Sequence, residues 1–339
     1  MTTESILSIN SLVKHFRAGK SGLWSSGEKI VHALDDVSFD LAKGEMLALV
    51  GESGCGKSTL SLCLMLLERP TSGTINFEGE DVTQFKGKPL KTLRRHIQMV
   101  FQDPYESLNP LMTIGEIVAE PLLVHNLAKN LEERARRVKF AMESAGLRPP
   151  EIFLNRLPHE LSGGQRQRVV IASALVLEPK VLLADEPVSM LDVSIRAEIL
   201  NLLRDLRNEK GISIIFITHD LATVANICTR IAVMYLGRIV EIGPTLDVLK
   251  HPSHPYTKAL MSVIPIPNPR SRKKRIILTG DPPDAVEIPS GCRFHPRCPS
   301  VFERCPLEDP MLKTVHGPHQ VACWLPDLAR EKVSKGVLE

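Results

Sequence analysis

Residues 47–67, LALVGESGCGKSTLSLCLMLL, decide the architecture. An apolar run, a glycine-rich turn and an apolar-periodic stretch follow one another directly, which reads as strand, loop, helix. Within it, residues 51–58, GESGCGKS, fit G-x-x-x-x-G-K-[ST] in full. Gly51, Gly54 and Gly56 permit a tight turn whose successive N–H groups point inward at phosphate oxygens. The helix N-terminus that follows adds a favourable dipole. Lys57 is placed to reach the β- and γ-phosphates, and Ser58 to offer its hydroxyl to magnesium. A glycine-rich connection of no function would look similar, but the strand before and the helix after argue against it. Alone, the pattern says only that the chain binds a nucleoside triphosphate.

Moving outward, residues 181–186, VLLADE, and 213–220, SIIFITHD, each set polar residues at the carboxyl end of a buried strand. Ligands bind there in open parallel sheets. Asp185 suits a magnesium ligand, direct or through water, and Glu186 beside it suits a general base for the attacking water. His219 can hydrogen-bond a γ-phosphate and orient water. Gln102, after the run IQMVF, can contact both magnesium and water. Each of these two is weak on its own. Residues 161–168, LSGGQRQR, are not weak. Ser162 can cap a helix while Gly163 and Gly164 expose N–H groups at its start, a second phosphate-binding helix terminus in the same chain.

The remaining pattern frames these motifs. Residues 6–49 alternate apolar and polar positions and read as short antiparallel strands, with a Gly- and Ser-rich loop insertion at 20–29. The stretch 104–175 reads as mainly helical, broken at Pro121 and at Pro149–Pro150. In it Leu131, Ala135, Val138, Met142 and Ala145 share one helical face, and Gly146 is a stop. A further helix begins near Val193. Strands of continuous hydrophobicity alternating with helices imply an α/β fold, a mostly parallel sheet covered on both faces.

In combination these motifs resemble the ATP-binding cassette ATPases, over about residues 5–245. The resemblance implies a P-loop NTPase core with a helical subdomain at about 104–170, binding ATP and Mg2+. It makes Phe16, in LVKHF, the aromatic that stacks on adenine. Gly51, Ser53, Gly54, Cys55, Gly56, Lys57, Ser58 and Thr59 belong to the Walker A loop, and Gln102 is the Q-loop glutamine. Ser162, Gly163, Gly164 and Gln165 form the signature. Asp185 and Glu186 belong to Walker B, Asp192 closes the D-loop SMLD, and His219 is the switch histidine. Family members pair head to tail, each ATP lying between one chain's Walker A and the other's signature. Ser58, Gln102 and Asp185 are then the magnesium residues, and Glu186, His219, Gln102 and Lys57 the catalytic ones.

Composition narrows the partners. The 339 residues are 43% hydrophobic and 24% charged, and 42 basic against 39 acidic residues give a net charge of +3, too even to argue for nucleic acid. Apolar runs are strand-length, so no membrane span is expected, and MTTESILSIN lacks the pattern of a signal peptide. The expected place is the cytoplasmic face of a membrane, reached through partner proteins.

From about residue 246 the composition changes: prolines, the basic run NPRSRKKR, then four of the seven cysteines, Cys292, Cys298, Cys305 and Cys323. This reads as a separate, irregular C-terminal module, 246–339, short of core material. The segments HPSHPYTKAL and GCRFHPRCP resemble the C-terminal extension of oligopeptide and dipeptide importer ATPases, as does FQDPYESLNPLMTIGE at 101–116. The resemblance implies a second ATP-binding subunit, two transmembrane permeases and an extracytoplasmic substrate-binding protein as partners. Nickel or oligosaccharide import by the same subfamily stays open, and a soluble cassette protein of repair or translation is a distant alternative. In a reducing compartment the clustered cysteines suggest metal ligation. Their spacing, C-x5-C-x6-C-x17-C, contains no C-x2-C pair. A [4Fe–4S] cluster comes first, as the subfamily resemblance also indicates, with zinc second since His295 and His319 are near. Cys63 and Cys228 read as small buried hydrophobes.

Overall fold

The computed structural model describes residues 4–18, 29–263, 275–278, 280–281 and 283–328. The loop insertion before Lys29 and the basic run before Arg275 lie outside the described residues. Strands β1 (Ser5–Ala18) and β2 (Lys29–Ala42) pair antiparallel, and β3 (Met46–Val50) then turns inward with all five residues buried. The strands that follow are β4 (Ser72–Phe77), β5 (Glu80–Asp81), β6 (Ile97–Val100), β7 (Val181–Asp185), β8 (Ser213–Thr218), β9 (Arg230–Tyr235), β10 (Arg238–Pro244), β11 (Lys313–His316) and β12 (His319–Val321). They make a four-stranded antiparallel sheet, β2-β1-β4-β5, and an eight-stranded sheet, β11-β12-β10-β9-β3-β8-β7-β6. In the larger sheet β9, β3, β8, β7 and β6 are parallel, and β10, β12 and β11 extend it antiparallel.

The continuous hydrophobicity of the central strands has a direct cause, because alternate side chains point to opposite faces and both faces are covered. Met46, Ala48 and Val50 of β3, with Ile214 and Phe216 of β8, face a core that includes the helices after β6 and β7. Leu47 and Leu49, with Ile215 and Ile217, face a second core closed by the helix Lys57–Leu64 and the antiparallel sheet. The helical subdomain differs from the sequence reading in two places. Pro121 does not break its helix but lies inside Ile114–Val124. On the helix Leu131–Ser144, Val138 and Met142 are buried whereas Leu131 and Ala135 are exposed, so the apolar face is covered only over its second half. The helix packs on Gly163–Leu175, and Val138, Ala141 and Met142 enter the larger core.

The residues after 245 are more closely joined to the cassette than their composition suggests. Strand β12 pairs with β10, so the main sheet itself continues into them. Tyr256, on the helix Pro255–Ser262, and Phe294 are buried in the larger core, with ring centroids 4.7 and 5.2 Å from that of Tyr235. The segment borrows a core rather than building one, which its own residue pattern does not disclose. Glu241 of β10, fully buried, fixes the junction by accepting from the Ser253 and His254 amides (2.7 and 3.0 Å) and from His319 Nε2 (2.7 Å).

His254 caps the helix Pro255–Ser262 through Nδ1, which accepts from the Tyr256 amide at 3.1 Å. Burial pushes its pKa down from 6.5 to about 4; Glu241 opposes the shift and Lys258 adds to it. The unfolded chain therefore binds a proton that the folded chain refuses, and stability falls as pH drops from about 6.5 toward 4. Thermal melts across this range are expected to show a decline that His254→Asn, which keeps a capping acceptor without titrating, makes shallower. Identical pH profiles for the two proteins would refute this.

Candidate nucleotide site

The loop between β3 and its helix is closed by contacts that only glycine allows. A Cβ at Gly51 would lie 2.3 Å from the Met234 carbonyl oxygen, and one at Gly56, at φ 106°, 2.4 Å from the Ala33 carbonyl oxygen. Gly54, at φ 80°, faces open space. Ser53 and Ser58 are exposed and Thr59 half-buried, whereas Cys55 is buried beneath the loop. The Lys57 side chain folds back across the loop and is only 8% exposed, its ammonium donating to the carbonyls of Gly51 (2.8 Å) and Glu52 (2.9 Å).

Adjacent strands bring the other polar residues to the same edge. In the order β3-β8-β7-β6, the loop at 51–58, His219, Asp185 with Glu186, and Gln102 each follow a parallel strand's carboxyl end. Asp185 is buried, which raises its pKa, as the neighbouring Glu186 carboxylate also does; a hydrogen bond with Ser58 and the charge of Lys57 oppose the rise. A buried carboxylate paired with a serine hydroxyl is an oxygen donor set of the kind magnesium takes. Glu186 has φ 45°, a left-handed conformation costly for a residue with a Cβ, and its amide donates to the Ile217 carbonyl at 2.9 Å. Both its carboxylate oxygens are held: Oε2 accepts from Gln102 Nε2 at 3.1 Å, and Oε1 lies 3.0 Å from His219 Nδ1. Two residues that are weak signals separately thus meet on one carboxylate.

The signature stands apart from the loop of its own chain. Ser162 caps the helix Gly163–Leu175, and Ser162 and Gln165 bond reciprocally (3.0 and 3.3 Å). No hydrogen bond or ion pair among the described residues joins this turn to residues 51–58. Asp192 precedes the helix Val193–Lys210 without capping it through its side chain, and Ser189 Oγ donates to the Glu186 carbonyl at 3.0 Å. Phe16 lies half-buried on β1 opposite Val31, with the Lys14 ammonium 4.5 Å from its ring.

The four late cysteines come together although 31 positions separate the first from the last. Cys292 and Cys305 are bonded through the backbone at 2.8 Å. Burial, reinforced by Cys323, Cys305 and Cys298, pushes the Cys292 thiol up to about 12. Cys323, raised to about 11, feels Cys298 and Cys305 in the same way. His319 and His295 are engaged elsewhere, on Glu241 and on the Cys292 carbonyl. Nearby, His15, His32 and Asp35 bring ligand atoms within 4.8 Å, but Asp35 is already paired with the Arg293 guanidinium, which disfavours another cation there.

Sequence reading missed a third group. Arg297 donates to both Glu52 carboxylate oxygens (2.9 and 3.4 Å), and the Glu52 amide donates to the Tyr256 hydroxyl at 2.8 Å. Only the acid inside a phosphate loop and the motifs HPYT and HPRC hint at it in the sequence.

Residues 34–189 match the family model described as "ABC transporter", and residues 240–305 match "Oligopeptide/dipeptide transporter, C-terminal region". A putative peptide import ATP-binding protein of Brucella ovis is 47% identical over 323 residues, covering 95% of this chain and 98% of that protein. A di/tripeptide transport ATP-binding protein of Pseudomonas aeruginosa is 47% identical over 94% of this chain and 97% of its own. Among solved structures, the dimeric cassette MJ0796 bound to ADP and Pi superposes with a TM-score of 0.62 at 32% identity, covering 70% of this chain and 98% of that one. A cassette from Clostridium perfringens, part of an ABC transporter complex, gives 0.63 at 33%, covering 73% and 92%.

The two signature glycines are not equivalent. A Cβ at Gly164 would lie 2.4 Å from Ile195 Cγ2, on a β-branched side chain with little freedom to move, whereas at Gly163 the nearest atoms are 3.7 and 3.8 Å away. Gly164→Ala is expected to destabilise the fold by about 1–3 kcal/mol through overpacking. Gly163→Ala should leave the melting temperature unchanged or slightly raised. Equal melting temperatures for the two variants would contradict this packing argument.

Proposed function

The chain belongs to the ATP-binding cassette ATPases, and from that membership we propose that it is the ATP-hydrolysing subunit that energises a peptide importer. The single observation that carries the reading is the Glu186 carboxylate, held between Gln102 and His219 beside Asp185 and Ser58. We assign the loop at 51–58, with Lys57, to the ATP phosphates, and Ser58 and Asp185, with Gln102, to magnesium, which when bound neutralises phosphate charge. Glu186 takes the proton from the attacking water, and His219 and Gln102 orient it. Phe16 is assigned to adenine. The turn Ser162–Gln165, with Asp192, serves the nucleotide of a second ATP-binding subunit, a reading supported by its separation from the loop of its own chain and by the dimeric MJ0796 cassettes.

No helix among the described residues is long and apolar enough to cross a membrane. We therefore assign the membrane passage to two separate permease subunits, fed by an extracytoplasmic binding protein, and place this chain on the cytoplasmic face. The peptide cargo is supported by the names of the relatives and by the match of residues 240–305. In functional terms we divide the chain into an ATPase domain, 1–245, and an importer-type extension, 246–339.

We assign Cys292, Cys298, Cys305 and Cys323 to a [4Fe–4S] cluster. The mutual proximity of the four thiols supports a shared metal group, and their spacing, without a C-x2-C pair, favours the cluster over zinc. The chain's own part is to supply four thiolates from a half-buried pocket; the cluster would cross-link them.

Glu186→Gln in the assembled transporter is expected to keep MgATP binding while lowering hydrolysis by about a hundredfold or more. Near-normal turnover with both ATPase subunits so altered would remove Glu186 as the base. Anaerobically purified chain should be brown, with about four irons, and Cys298→Ser should lower the iron content while nucleotide still binds. Stoichiometric zinc without iron would select the other metal.

A further inference from the structure

An acid stands where the loop must hold a polyanion. Glu52 directly follows Gly51, and its carboxylate would repel phosphate oxygens unless a cation compensates it. Lys57 does not compensate it, because its ammonium donates to the Gly51 and Glu52 carbonyls rather than to the carboxylate. Arg297 does, through a two-pronged ion pair from a guanidinium that is itself 8% exposed. Burial alone would make that guanidinium easier to deprotonate, but the bonds to Glu52 outweigh it and keep the charge secure. The Glu52 backbone is fixed as well. Its amide donates to the Tyr256 hydroxyl, which burial keeps protonated, and its carbonyl accepts from Lys57. Every polar group of this loop residue is thus engaged, two of them by residues after 245.

We propose that Arg297 and Tyr256 are positioning residues for ATP: they neutralise and fix Glu52, so that the C-terminal extension completes the phosphate site of the cassette. Arg297 immediately precedes Cys298, and Phe294 packs on Tyr256 with ring centroids 5.5 Å apart. The proposal rests on reading residues 51–58 as the ATP site and adds the residues that tune it.

The test is equilibrium binding of MgATP to the full-length chain. Arg297→Gln, which removes the charge while keeping a polar side chain of moderate length, is expected to raise the Kd about tenfold, the scale of one charge-assisted interaction. Arg297→Lys should raise it less. In a Glu52→Gln background, adding Arg297→Gln should change the Kd by less than about twofold, a coupling that additive structural damage does not produce. Tyr256→Phe, which removes only the acceptor of the Glu52 amide, supplies a second measurement where an Arg297 variant fails to fold, with a raised Kd expected. Unaltered affinity in Arg297→Gln, a loss of about tenfold on adding Arg297→Gln to Glu52→Gln, or unaltered affinity in a Tyr256→Phe that stands in for an unfolded Arg297 variant would overturn the proposal. Failure of the unaltered chain to bind MgATP would instead overturn the ATP reading on which it rests.

Discussion

Strand β3 has no face to give to water, and the rest of the molecule is arranged around that constraint. Its five residues alternate between two cores, so each side of the sheet needs a cover: helices and the helical subdomain on one, a helix and an antiparallel sheet on the other. Parallel pairing with β8 and β9 follows, because strands buried on both faces are joined by crossovers rather than hairpins. Parallel strands then end at a common edge. The polar residues that emerge there, from the loop at 51 to Gln102, lie in strand order rather than in chain order. The site is a consequence of burying the sheet, and its residues are brought together by strands that are themselves mostly apolar.

That edge also carries a strained residue. Glu186 sits in a left-handed conformation immediately after β7, held there by its amide bond to the Ile217 carbonyl of β8. A relaxed backbone would carry its carboxylate away from Gln102 and His219. Sheet pairing thus supplies the energy that keeps the proposed base in place, which ties the chemistry to the apolar core behind it.

Most of this was legible in the sequence where one residue type has a single physical use. The glycines at 51 and 56, the apolar runs of β3, β7 and β8, and the cap at Ser162 all took the forms their patterns imply. Misreadings came where the deciding partner lies far along the chain. Leu131 and Ala135 belong to an apolar face in pattern but stay exposed. Pro121 reads as a break, yet the helix continues through it to Val124. The segment after 245 looked poor in core because Val248, Tyr256 and Phe294 are scattered in it, each completing a cluster whose bulk lies before residue 245.

The same remoteness explains why a boundary drawn from composition at 245 does not mark an energetic one. Glu241 lies before it, yet all three groups that satisfy its buried carboxylate come from after it. Glu52 lies nearly two hundred positions before it, yet its charge is balanced from position 297. A buried carboxylate without its donors is among the more costly defects a fold can carry. Glu241 is such a group, and together with the partly exposed Glu52, ion-paired to Arg297, it ties the extension to the cassette. The irregular backbone of the extension is accordingly no sign of loose attachment: it is fixed at discrete polar anchors, one at the end of the sheet and one at the phosphate loop.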